Sequence, residues 1–167
     1  MTKGFKVSLA ISIVMIITSL SLGVNQGYSL SKEEVRQLLS SFEALPKSAL
    51  FIFMNNFFIT LATFIPFLGI IIHSTIQYTT GMALGAIASS KDISPIILLA
   101  FAAPIFIIEY ISYIVALAES TYLSTLLIKR VGIKERIRSQ SWKAIGFVSI
   151  LLFIGALLES FLIRIAP

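Results

Sequence analysis

The sequence predicts an all-α fold, a polytopic membrane helix bundle of about five transmembrane helices with a cytoplasmic N-terminus and a short amphipathic helix outside. Three observations predict it. Of 167 residues, 57% are hydrophobic and 13% charged, and the mean hydropathy is +0.95; soluble domains are about 45–50% apolar and about 25% charged. Long apolar runs with almost no charge recur along the whole chain. The positive charge is concentrated in one short segment. There Lys129, Arg130, Lys134, Arg136, Arg138 and Lys143 face Glu135 alone, a surplus equal to the entire net charge of +5.

The first apolar run, about residues 7–23, follows Lys3 and Lys6. That arrangement fits a signal anchor, and small residues at Ser19, Ser21 and Gly23 leave a cleavable leader open. A polar stretch follows, with three bases and three acids between residues 23 and 47. Within it, Ser31-Lys32-Glu33-Glu34 is a capping box, in which serine and glutamate satisfy each other's free backbone donors. The helix it starts, residues 31–44, carries Val35, Leu38, Leu39 and Phe42 at helical spacing. It is expected to lie on the outer membrane surface or against the bundle.

Residues 48–89 contain no formal charge. As one helix they would extend about 63 Å, against a hydrocarbon core of about 30 Å. The segment must therefore fold back, and Pro66-Phe67-Leu68-Gly69 is the natural break. Spans are expected at 48–66 and 69–89, closed by Lys91-Asp92. Pro104 divides the next run into an interfacial or re-entrant piece, 94–103, and a span, 104–128. The basic segment 129–143 is expected to be a cytoplasmic loop, followed by a last span at 145–165. With Lys3 and Lys6 inside, four crossings return the chain to the cytoplasm at Lys129, where basic loops belong. Residues 1–167 are taken as a single integral membrane domain, multi-pass in the cell membrane.

Ionisable groups inside spans cost about 2.5–3.5 kcal/mol each at a helix centre, which marks them as candidates for function. Glu109 and Glu119 fall in the fourth span and Glu159 in the fifth. Glu109 and Glu119 stand about 80° off a common helix face, so they do not form one site. Glu159 lies at a depth like that of Glu109, and those two are placed to approach each other. No base lies within the spans beside these acids, so His73 is the only internal ion-pair partner expected. The acids either carry protons or cations, or are packing groups hydrogen-bonded to a neighbouring helix. His73, Gln77, Gly81 and Gly85 form a stripe whose Gly-x-x-x-Gly end allows close helix approach. Asn55 and Asn56 need internal partners, since lipid offers none, and they are expected to contact two different helices.

Other chemistries are excluded or unsupported. The chain has no cysteine and one histidine, so disulfides, thiolate centres and multi-histidine metal sites are ruled out. Metalloprotease, phosphate-loop and nucleophile-elbow motifs are absent. No enzyme activity, metal or cofactor is expected. A basic balance confined to one loop is a topology signal, so no nucleic-acid partner is expected either. The expected partners are the lipid bilayer and either other proteins or further copies of the chain.

Three stretches resemble a known family. Residues Ser48 to Ile59 (SALFIFMNNFFI), the Pro66–Gly69 turn and Tyr78-x-x-Gly81-x-x-x-Gly85 look like the central part of stage II sporulation protein M and its relatives. Pro104-x-x-x-x-Glu109 is similar to that family's Pro-His-Gly-x-x-Glu-Leu-Pro segment, with Ile105 and Phe106 in place of the histidine and glycine and without the second proline. The resemblance implies a five-span protein that works by assembling with partners. In spore formers the namesake acts beside peptidoglycan-remodelling proteins. Asn55, Asn56, Gly81, Gly85, Pro104 and Glu109 are the motif positions it transfers, and it transfers no catalytic residue.

Overall fold

The computed structural model describes residues 2–43, 45–101 and 103–165, without the side chains of 42, 43, 101 and 165. The far end of the outer helix at residue 44 and the side chain of Phe42 therefore lie outside the described residues. Every regular element among the described residues is helical. In order they are α1 (Lys3–Tyr28), α2 (Lys32–Glu43), α3 (Ala49–Thr63), α4 (Leu68–Lys91), α5 (Pro95–Phe101), α6 (Ala103–Lys129), α7 (Ile133–Arg136), a π-helical turn (Ile137–Ser141) and α8 (Trp142–Ile165).

Three helical stretches are long and apolar enough to cross a membrane: Lys3–Tyr28, Ala103–Lys129 and the continuous Ile133–Arg164. Helix α3 is apolar but has 15 residues, about 22 Å of rise. Helix α4 is long enough, but His73, Gln77 and several hydroxyl residues dilute its apolar character, and His73 and Gln77 are buried in protein.

The bundle is built inside out relative to a soluble domain. Large apolar side chains such as Val14, Leu50, Ile71, Ile107, Ile128 and Ile150 are exposed, while Ser12, Thr60, Ser112 and Ser120 are buried. Small interior residues let helix backbones approach closely where lipid removes the usual hydrophobic drive. Some buried hydroxyls are satisfied within their own helices: Ser12 Oγ donates to the Ser8 carbonyl at 2.8 Å and Thr60 Oγ1 to that of Asn56 at 2.6 Å. An apolar centre of Phe64, Ala116, Val148 and Leu152 ties α6 and α8 to the end of α3.

Helix directions follow from who meets whom. Gly81 lies against Leu20 and Gly85 against Val24, so α1 and α4 run side by side in the same sense. Helices α3 and α8 run oppositely, with Lys47 beside Ser160 and Phe53 beside Phe153. Asn56 meets Glu109 and Ile65 meets Ser120, which sets α3 and α6 parallel.

The segment 129–143 is not the loop expected. The break is confined to Arg130–Gly132, where Arg130 and Gly132 take φ of 54° and 61°, and helix resumes at Ile133. Nothing within 4 Å opposes a Cβ at Gly132, so its role is conformational. Beyond it the good helix formers Lys134, Glu135 and Arg136 extend the last helix below the apolar segment. The break at 64–67 overlaps the Pro66–Gly69 turn expected but begins two residues earlier, with Leu68 and Gly69 already in α4. Phe67 takes φ of 61° there and caps no side-chain bond.

Candidate functional site

The polar residues within the helices gather into two centres and one seam. The seam joins α1 to α4, the most extensive helix pair. A Cβ on Gly23 would run into the Tyr78 carbonyl, one on Gly27 into that of Met82, one on Gly81 into that of Leu20 and one on Gly85 into that of Val24. Two Gly-x-x-x-Gly pairs thus face each other. The sequence signalled one; Gly23-x-x-x-Gly27 was equally legible beside it.

The inner centre is built on Glu119, which is fully buried. The Arg136 guanidinium grips it with two bonds, Nε to Oε1 at 2.9 Å and Nη2 to Oε2 at 2.5 Å. Ser141 Oγ adds a third donor at 2.7 Å to Oε1. The guanidinium also lies over the rings of Phe5 and Tyr122, at 4.8 and 5.0 Å from their centroids. This corrects the expectation that no base reaches the buried acids. Arg136 lies only four residues past Gly132, and the helical extension of α8 swings it back under the bundle. Close by, the 64–67 turn is strapped to α6: the Phe67 N–H donates to Ser124 Oγ at 2.8 Å, and Ser120 Oγ donates to the Ile65 carbonyl at 2.9 Å. The other bases, Lys129, Arg130, Lys134, Arg138 and Lys143, are exposed.

The outer centre is a cavity of about 530 Å³ between α3, α4, α6 and α8. Asn55, Asn56, Gln77, Tyr110, Glu109 and Glu159 are on its wall, with Lys47 at its rim. Asn56 Nδ2 donates to Glu109 Oε1 at 2.8 Å. Glu109 rests on Gly155, where an added Cβ would stand 3.4 Å from Glu109 Cγ. Glu159 follows Gly155 by four residues on the same face of α8, which brings the two acids to one space. Asn55 does not reach a second helix as expected. It is exposed and donates only to its neighbour's Oδ1, at 3.4 Å, because α3 lies at the edge of the bundle with one side uncovered. The Gln77 amide is 3.2 Å from His73 Nε2; His73 Nδ1, Gln77 Oε1 and the Tyr110 hydroxyl have no hydrogen-bond partner. Tyr110 and Tyr113, missed from the sequence, stand at spacings where an aromatic reads first as packing.

Of the remaining positions, Gly69 is buried with a Cβ position blocked by the Thr63 carbonyl. Pro66 is half-buried in the turn, and Pro104 is exposed in the first turn of α6, where proline costs no hydrogen bond. No group of three or more histidine, cysteine or carboxylate side chains able to hold a metal occurs among the described residues.

A helical bundle with an apolar exterior, a small polar interior and three membrane-length helices defines a membrane protein. The chain belongs to the stage II sporulation protein M family, whose profile matches residues 6–163. Searches of curated proteins and of solved structures each found no match.

Proposed function

We propose that the chain is a non-enzymatic, five-span subunit or scaffold of a cell-membrane complex. In this arrangement α1, α4 and α8 run outward, α3 and α6 run inward, α2 lies outside and the bases of 129–143 lie in the cytoplasm. The shared sense of α1 and α4, opposite to that of α3 and α6, supports the five crossings. Trp142, exposed beside Lys143, suits the headgroup level.

One observation carries the complex-subunit role. Five of the six bases in 129–143 are exposed, and only Arg136 enters an ion pair among the described residues. The end of α6, the break after it and the helical extension together present five unpaired positive charges, a surface for an acidic partner protein or anionic headgroups, each base adding about 1 kcal/mol near such a membrane. The test is crosslinking and affinity purification from native membranes, comparing the natural chain with one in which Lys129, Arg130, Lys134, Arg138 and Lys143 are glutamine. A stable partner lost on neutralisation supports the role. Unchanged co-purification and unchanged orientation reject this surface.

A specific observation favours a second function, that of a small transporter or permease subunit. Glu109 and Glu159 line a cavity, whereas Glu119 is consumed by Arg136. This function requires pH-dependent flux in liposomes that Glu109→Gln or Glu159→Gln removes. Flux indifferent to both substitutions rejects it.

A further inference from the structure

Two carboxylates facing one partly enclosed space repel each other unless a positive charge sits between them or one takes up a proton. Glu109 enters from α6 and Glu159 from α8. The charged groups around them are few. Lys47 at the rim pairs with neither acid, since the one ion pair among the described residues joins Arg136 to Glu119. His73 stands one turn from Gln77 on α4, with its Nε2 already engaged by the Gln77 amide. The chain therefore supplies no internal cation to this pair.

A second observation points to a ligand. Gln77 is 1% exposed and lines the same cavity, and its carbonyl Oε1 has no partner. A buried acceptor left unsatisfied costs about 1–3 kcal/mol. Two carboxyl groups and an idle amide carbonyl around one space offer acceptor oxygens, and acceptors converge on a donor or a cation.

The size and walls of the cavity choose between kinds of cation. About 530 Å³ is far more than one ion and its immediate waters need, a water occupying about 30 Å³, and it falls in the range of small-molecule sites. Phe106, Tyr110 and Tyr113 form a chain of rings with centroids 5.4 and 5.9 Å apart, and all three line the cavity. Aromatic faces attract ammonium groups and accommodate alkyl chains. A hard metal ion would instead want a tight cage of oxygens, and no cluster of three metal-binding side chains is present among the described residues.

We propose that the cavity between α3, α4, α6 and α8 binds a small organic ammonium ion, its charged head held by Glu109, Glu159 and the Gln77 carbonyl and its apolar part laid along Phe106, Tyr110 and Tyr113. The proposal shares its cavity with the permease function but does not require transport. Binding without flux would reject the permease function and leave this site standing.

The test is titration calorimetry of the full chain in detergent with n-butylammonium chloride, alongside n-butanol, potassium chloride and magnesium chloride. Saturable binding of the amine alone is expected. Glu159→Gln, which breaks no hydrogen bond in the structure, should weaken binding at least tenfold, and Gln77→Leu severalfold. Lys134→Gln, on the exposed basic extension, should leave affinity unchanged. Should Glu109→Gln lose its fold with its Asn56 bond, the Glu159 and Gln77 variants still decide. The proposal is overturned by no saturable amine binding to monodisperse protein, by equal binding of butanol, by displacement by magnesium at equal concentration, or by unchanged affinity in Glu159→Gln.

Discussion

Removing the Glu119 carboxylate leaves the Arg136 guanidinium pressed against Phe5 and Tyr122 with nothing to answer its charge, and leaves Ser141 Oγ only the Arg136 carbonyl at 3.4 Å. Losing one partner of a buried pair typically costs about 3–5 kcal/mol. Glu119→Ala should therefore sharply lower the melting temperature in detergent, and a shift no larger than that of an exposed control such as Glu135→Ala would show the cluster to be incidental. Arg136→Lys should not rescue it, because a point charge cannot reproduce two parallel bonds and a flat face on two rings. At the other end of the chain, the Ser31 N–H and hydroxyl both donate to Glu34 Oε2, at 2.8 and 2.7 Å. These bonds hold the Glu34 carboxyl below its usual range. Because the folded value is the lower one, the capping contribution is present above the ordinary glutamate range and disappears as pH falls through the depressed value. Amide exchange at the start of α2 should quicken over that acid interval, and Ser31→Ala should shrink the pH dependence to the part carried by the residue 31 N–H. The Glu34 contact was legible because a capping box is local, closing over three residues. The Glu119 contact was not, because it closes over 17 residues through a turn whose tightness no side-chain pattern announces.

Among the elements, the pairing of α1 with α4 is the most demanding sterically. Each of the four glycines faces backbone, which has no rotamer with which to yield. Gly81→Val or Gly23→Val should therefore exceed the usual overpacking cost of about 1–3 kcal/mol and prise the two helices apart. Gly146→Ala is the matched control, since nothing lies within 4 Å of its Cβ position. The valine variants should melt in detergent well below Gly146→Ala; an equal melting temperature would mean the seam tolerates bulk. Hydropathy revealed the apolar helices, and turn chemistry revealed the break at Pro66. Hydropathy alone did not reveal that Ile133–Ser141 is helical, because a run dense in bases reads as solvated loop until its helix formers are weighed. Nor could it show which acid would be enclosed and which would face a cavity. That difference rests on contacts between helices far apart in sequence, such as Glu109 lying beside Gly155 of α8.

For the whole molecule the deciding quantity is how deep the α3–α4 hairpin goes. Five crossings and three crossings with a hairpin dipping in from outside place α2, Lys91 and the basic extension on the same sides. They differ only at residues 64–67. Helix α3 rises about 22 Å, short of a core of about 30 Å. Its turn is tied to Ser124, five residues or about 8 Å before the end of α6. The Glu119–Arg136 pair lies near that turn, its guanidinium reaching in from the segment after α6, and in the proposed orientation that end faces the cytoplasm, which gives water and headgroups a route there. The absence of native cysteine makes single substitutions clean reporters. Five crossings require Phe67→Cys to react with a membrane-impermeant maleimide from the cytoplasmic side only, more slowly than Arg138→Cys, while Glu33→Cys reacts from outside. Protection of Phe67→Cys from both sides would instead mean that the hairpin ends inside the bilayer. The bundle would then be a three-span protein carrying a half-depth insertion, with the Glu109–Glu159 cavity opening on the outer leaflet.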